Sequence, residues 1–289
     1  MRSAALDAAQ RVAVLSDASD FHREPGSTVL TGLLGSAALL REHAGIAATA
    51  LLVTAEDTEE LIADLRRVAP DFSGAYLTLT NPARAEAAQG ALTGALTVIT
   101  ERQTSAVALI AAVLSILDRR GTPPAEGRVV IVGADHNPLL VALAAAAGIG
   151  EIDRWGLDDA HNFPLQTLSR RDALVIDLLG TTQPWGQAKS SADSLTRVIA
   201  VDDPTMPLLA LPYLLGTGCQ RGDPPGLAEC LACAQVLAQR TPPGRILPAL
   251  SDPARSAPPS SNTAVPAPAL AVVADTARIH RDEHAHPVR

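Results

Sequence analysis

The sequence predicts an α/β protein of two α/β domains, the second a Rossmann-like doubly wound parallel sheet. Three observations carry that expectation. Short β-branched apolar runs alternate with longer stretches of helical spacing almost from end to end, as parallel sheets with crossover helices require. At 289 residues the chain is long enough to bury two cores. Apolar residues make up 47% but aromatics only 2%, so those cores are built from Ala, Val, Leu and Ile rather than from rings.

In the first series the strands are "RVAVLSD" (11–17), "AATALLVT" (47–54), "AYLTLT" (75–80) and "LTVIT" (96–100), short and apolar enough to be buried on both faces. Helices are expected over 28–45, which ends at a glycine, and over 57–70, which has an acidic first turn, a basic last turn and a proline stop. A long helix over 104–121 carries Val107, Ile110, Val113, Leu114 and Leu117 on one stripe. Strands at 128–133, 151–156, 172–180 and 197–203, with helices between them, make the second series. The domains are therefore read as 1–100 and 101–252. Residues 253–289 form a Pro/Ser-rich linker, a short apolar helix and a charged tail.

A net charge of −8, with no basic block, argues against nucleic acid or an anionic membrane as partner. The start holds no apolar run of signal-peptide or membrane-span length, so a cytoplasmic location is expected. Three cysteines are too few for a disulfide framework. Cys230 and Cys233 form a C-x-x-C within a strongly helical segment, where a spacing of three places both on one buried face. Lys189 is the only lysine.

The stretch "RVVIVGADHNP" (128–138) is a strand running into a turn before a helix, the opening of a nucleotide-binding unit. Gly133 stands alone in it: Asp135 and Pro138 occupy the places of the second and third glycines of G-x-G-x-x-G. Asp135 puts a carboxylate where a pyrophosphate would sit, and Pro138 removes one helix N-terminal amide donor. Asp158 or Asp159 could serve ribose hydroxyls. The turn, with Gly133, Asp135, Asn137 and Asp158 as its candidate cofactor contacts, is read as degenerate, and no cofactor is expected, NAD(P) being the one that could still bind.

The order of segments resembles the malic enzymes of the shorter bacterial type. "VAVLSDA" (12–18), "LGSAALLREHAGI" (34–46), "DTEELIADLRRVAPDFSGAYLTLT" (57–80), "VITERQTSAVALIAAVLSIL" (98–117), "VVIVGADHNP" (129–138), "VIAVDDPT" (198–205) and "RILPALSDP" (245–253) follow that family's segments in order. The resemblance implies oxidation of malate with NAD(P) and decarboxylation on a divalent metal held by three carboxylates. Two of those acids fall at Thr78 and Leu79, and the third at Arg102, after Glu101; such a set does not hold Mg²⁺ or Mn²⁺. Ser36 matches the family's proton-transfer lysine, and its tyrosine acid, in a "YTPGVA" segment, finds no counterpart. No metal site is expected.

The residues left at the old cleft are candidates for a new role. His136, Arg102 and Glu101 are the candidates for metal-free acid–base chemistry, with Ser36, Thr78, Gln103 and Asp203 lining the cleft. Asp202, Asp20, His22 and Arg23 lie at neighbouring strand ends. Such groups suit a small anionic or zwitterionic ligand. The leading expectation is a malic-enzyme-like protein that has lost malate decarboxylation and acts as a non-catalytic binding or partner protein, as a homodimer or in a hetero-oligomer with a relative. The alternatives are a metal-independent enzyme on a small anionic metabolite and a divergent NAD(P)-dependent malic enzyme.

Overall fold

Among the described residues, eight short strands, buried where neighbours flank them, account for the alternation seen in the sequence. The computed structural model describes residues 11–20, 26–161, 173–180, 198–200, 205–218 and 222–250. Residues 1–258 form one compact unit; 259–289 form a second, which lies outside the described residues together with the expected linker and tail helix.

Strands β1 (Arg11–Ser16), β2 (Ala47–Leu52), β3 (Gly74–Leu77) and β4 (Thr97–Thr100) make a parallel sheet in the order β2-β1-β3-β4. Strands β5 (Arg128–Val132), β6 (Glu151–Trp155), β7 (Leu174–Asp177) and β8 (Val198–Ala200) make a second in the order β6-β5-β7-β8. The doubly wound order expected of the second sheet thus occurs in both. In each, the winding reverses beside the first strand, between β1 and β3 and between β5 and β7. The edge strands β2 and β6 are only partly covered. On β6, Arg128 of β5 holds Asp153 at 2.7 Å and Glu151 at 3.1 Å, so charge occupies the exposed edge.

Period-two alternation sorts the first sheet between two cores. Val12, Val14, Tyr76 and Ile99 face one; Ala13, Leu15, Ala75, Leu77 and Val98 face the other. The second core is closed by α2 (Thr58–Val68) and α3 (Pro82–Ala91) through Leu61, Leu65, Ala85 and Ala88. Helix α3 was not anticipated, because its alanines draw no apolar stripe. Its start signal is nevertheless present: Asn81 caps the amides of Ala83 and Arg84, and Pro82 opens the first turn.

The first core continues through α1 (Gly26–Ala44) and α4 (Glu101–Arg119) into the second sheet, where Val129, Ile131, Leu174, Ile176 and Ile199 complete it. Helix α4 was expected to bury one stripe, yet every residue from Ala106 to Val113 is buried, while Leu114 is only partly so. A helix enclosed by sheet residues and by α5 (Pro138–Ala146) and α7 (Leu227–Gln239) has no solvent side to keep polar. Between them in sequence lies α6 (Leu211–Gly218), whose Leu211, Leu214 and Leu215 enter the same core. As expected, rings are scarce inside: among the described residues the core is overwhelmingly Ala, Val, Leu and Ile.

Cys230 and Cys233 are both free and buried on α7, and Cys233 Sγ lies 3.8 Å from the carbonyl of Ala210. Burial, and then the neighbouring Glu229 carboxylate, push the Cys230 thiol up to about 12. Among the described residues no helix is long and apolar enough to cross a membrane.

Two measurements check this packing. Leu109→Ala, at a site with no exposure, is expected to lower the unfolding free energy by about 2–5 kcal/mol, read from urea denaturation. The Cys230 thiol ionises near 9.0 when exposed and near 12 when folded. Within that interval the unfolded chain has released a proton the folded chain retains, so Cys230 makes stability fall as pH rises through it. Replacing Cys230 by Ala is expected to flatten that part of the pH profile.

Candidate functional site

Open α/β sheets bind ligands outside the carboxyl ends of their strands, where the strand order reverses. Here both reversals border one cleft of ≈ 270 Å³. Asp20, Leu77 and Thr80 come to it from the ends of β1 and β3, and His136, Asn137 and Leu178 from the ends of β5 and β7. Glu101 and Arg102 enter at the first turn of α4, with Glu86 contributed by α3.

Glu101 is held by its neighbours. Its Oε2 accepts from Thr78 Oγ1 at 2.6 Å and from the Leu79 amide at 3.0 Å. Leu79 carries φ of 52°, a left-handed conformation that costs a non-glycine residue about 1–2 kcal/mol. Three hydrogen bonds hold it there: the one to Glu101, and two to its carbonyl from Ser16 Oγ at 3.2 Å and the Asp20 amide at 3.4 Å. Beside this anchor lies Tyr76, fully enclosed on β3. Its phenol is raised above the ordinary value by burial and then by the Glu101 charge, against the hydrogen bonds of Thr104 and Thr78.

Arg102 turns toward α3, where its Nη1 meets Glu86 Oε1 at 3.1 Å. The Arg102 carbonyl accepts from Asn137 Nδ2 at 2.9 Å. A carbonyl cannot donate, so the orientation of the Asn137 amide is set by this bond, and its buried Oδ1 is left without a hydrogen-bond partner among the described residues. His136 is exposed at the cleft wall.

Gln103 and Thr78, expected in the cleft lining, serve behind it. Gln103 forms a capping box with Thr100: its Oε1 accepts from the Thr100 amide at 3.0 Å and from Gln89 Nε2 at 2.8 Å, while its own Nε2 donates to the Pro225 carbonyl at 3.2 Å. Thr78 holds Glu101 from beneath. Ser36 is partly buried on α1 and outside the lining. Asp203, like Asp202, His22, Arg23 and Lys189, lies outside the described residues.

Gly133 has φ of 76°, and a Cβ there would stand 2.7 Å from Leu179 Cγ, so glycine is required by the turn itself. The turn after it is a single 3₁₀ turn, Ala134–His136, in which the amides of His136 and Asn137 donate to the carbonyls of Gly133 and Ala134 at 2.9 and 3.2 Å. Asp135 points outward and pairs with Arg154 of β6. Asp158 is exposed in the turn Leu157–His161, where Asp159 Oδ2 accepts from the Gly156 amide at 2.8 Å.

These contacts bear on the groups that the resemblance implies. Two amides of the phosphate turn are committed within it, and the exposed carboxylate at its tip carries the wrong charge for a pyrophosphate. At the places of the metal-binding acids stand a hydroxyl bonded to Glu101, an aliphatic side chain and a guanidinium, which do not form an oxygen cage. Among the described residues, no three His, Cys, Asp or Glu side chains are grouped so as to hold a metal ion. Neither the metal nor the dinucleotide phosphate fits the residues present.

Sequence reading missed two parts of this region. Glu86 could not be placed because α3 went unrecognised. Asp17 follows β1 with a fully buried side chain: its Oδ2 lies 3.0 Å from Arg84 Nη1, and its Oδ1 accepts from the amide and hydroxyl of Ser19. The signal for that turn was the "SDAS" at the strand end, an aspartate positioned to bond the backbone two residues on.

No protein-family model matches the chain, and no curated protein matches its sequence. Solved structures do match it. The malic enzyme of Pyrococcus horikoshii Ot3 superposes with a TM-score of 0.63 at 16% identity, over 86% of this chain and 74% of that one. The NAD-dependent malic enzyme of Thermotoga maritima gives 0.61 at 17%, over 84% and 81%. The Entamoeba histolytica malic enzyme gives 0.64 at 15%, over 86% and 67%. At such identities the likeness is one of architecture: this chain has the two-sheet α/β fold of the malic enzymes.

Proposed function

We propose that this chain uses a malic-enzyme-like scaffold to bind a small polar molecule, and does not perform metal-dependent oxidative decarboxylation of malate. The supporting observation is the state of the carboxylate that remains at the cleft. Glu101 has one oxygen taken up by Thr78 and Leu79, and the next residue is a guanidinium paired with Glu86. A metal-dependent decarboxylase needs several oxygen donors converging on one point, and Thr78, Leu79 and Arg102 supply instead a hydrogen-bond donor, a hydrocarbon and a positive charge. A cleft is present: it has a wall from each sheet and polar groups on both, as binding sites at strand ends have.

The test is direct. The full chain is incubated with malate, Mn²⁺ and either NAD or NADP, and reduced dinucleotide is followed by absorbance; no formation above the protein-free rate is expected. In parallel, melting is recorded with Mn²⁺ and each dinucleotide. A ligand at a hundred times its dissociation constant stabilises by about 2.7 kcal/mol, so true binding shifts the midpoint by several degrees. Turnover that depends on Mn²⁺, or a joint shift with Mn²⁺ and dinucleotide, would overturn the proposal.

A further inference from the structure

We propose that the cleft selects a small organic cation, the ammonium group of an amine, with Glu101 as its anchor. This rests on the reading that the cleft binds a small polar molecule, and it names the chemical class. Glu101 is preorganised for the purpose. Oε2 is held by two donors at 2.6 and 3.0 Å, which orients the carboxylate, and among the described residues Oε1 has no hydrogen-bond partner. Orienting an acceptor in advance removes part of the ordering cost of binding.

The charge balance points the same way. Three carboxylates, Asp20, Glu86 and Glu101, border the cleft against one guanidinium, Arg102, which is already paired with Glu86. Asp20 is exposed, and its side chain has no ion-pair partner among the described residues. An anion entering here would meet the charges of Asp20 and Glu101, which no described residue neutralises in an ion pair, whereas a cation would be attracted by both. The sequence suggests an anionic or zwitterionic ligand from the carboxylate, imidazole and guanidinium groups at the strand ends; the pairing of Arg102 with Glu86 turns the balance against an anion.

An ammonium group also suits the neutral lining. It is donor-only, and it is offered the free oxygen of Glu101 together with the Ser105 hydroxyl at the same cleft. It asks for a few hydrogen bonds rather than the closed oxygen shell that Thr78, Leu79 and Arg102 fail to provide. A volume of ≈ 270 Å³ admits a ligand of few heavy atoms.

Amide NMR titration of the full chain at constant ionic strength tests this, with ethylammonium chloride and sodium propionate as probes and sodium chloride as control. Ethylammonium is expected to move the amides of Glu101, Arg102, His136 and Asn137 saturably, and propionate is expected to leave them in place. Glu101→Gln retains an oxygen for Thr78 and Leu79 but turns an amide donor toward the ligand, so ethylammonium should bind at least about tenfold more weakly. Asp20→Asn leaves the backbone amide that bonds the Leu79 carbonyl in place and alters only an exposed side chain; it should weaken binding several-fold, which keeps the proposal testable should Glu101→Gln unfold. Saturable shifts with propionate alone, with neither probe, or with ethylammonium unchanged in affinity in both variants would overturn the inference. None of these outcomes is Mn²⁺-dependent malate turnover or a joint melting shift with Mn²⁺ and dinucleotide, the two results that would overturn the proposed function.

Discussion

A 19-residue helix with almost no solvent-facing surface along its middle governs the rest of the molecule. Helix α4 is buried from Ala106 to Val113, inside a core drawn from both sheets. Such a helix can occupy only one position, because its small and branched side chains interdigitate with neighbours on every side. Its first turn carries polar backbone groups into that core, and these must be satisfied there. Thr100 and Gln103 do so reciprocally, and Gln103 continues outward to Gln89 and Pro225. The network therefore fixes the start of α4 against α3 and against the segment leading into α7.

The chemistry of the cleft follows from that fixed start. Glu101 is the first residue of α4, so the helix start sets the position of its backbone, and hydrogen bonds from Thr78 and Leu79 orient its carboxylate. The left-handed Leu79 is the strained element of the arrangement. It persists because hydrogen bonds on both sides of its peptide over-determine it, as happens where a protein holds a group in readiness. Both sheets wind in the same order, so their reversal points supply opposite walls of one cleft. A malic-enzyme-like fold accounts for the existence of the cleft. The side chains now lining it account for its charge.

Much of this was legible in the residues. The strands, the parallel winding and the length of α4 followed from periodicity, and "GADHNP" announced a turn that differs from a dinucleotide fingerprint. The buried, free cysteines of α7 followed from their spacing on a helix. Glu101, Arg102 and His136, the candidates for acid–base chemistry, all border the cleft, and Asn137, a candidate cofactor contact, borders it with them. Other features were not legible, for physical reasons that differ. Helix α3 hid because alanine buries well without marking a stripe, and with it went Glu86, the partner that neutralises Arg102. Gln103 looked like a lining residue because nothing local distinguishes a side chain that caps its own helix from one that leaves it.

The sequence by itself determined the fold class, the aromatic-poor core and the types of polar group at the strand ends, since periodicity and composition are properties of neighbouring residues. Only the tertiary structure decided which of those groups are free. Thr78 reaches Glu101 across 23 residues, Asn137 reaches Arg102 across 35, and Gln103 reaches Pro225 across 122. Such pairings depend on the order of strands in the sheets and on where a buried helix begins, neither of which leaves a local mark. The polar groups that suggest an anionic or zwitterionic ligand in one dimension become, once Arg102 is paired with Glu86 in three, a cleft with negative charge to spare.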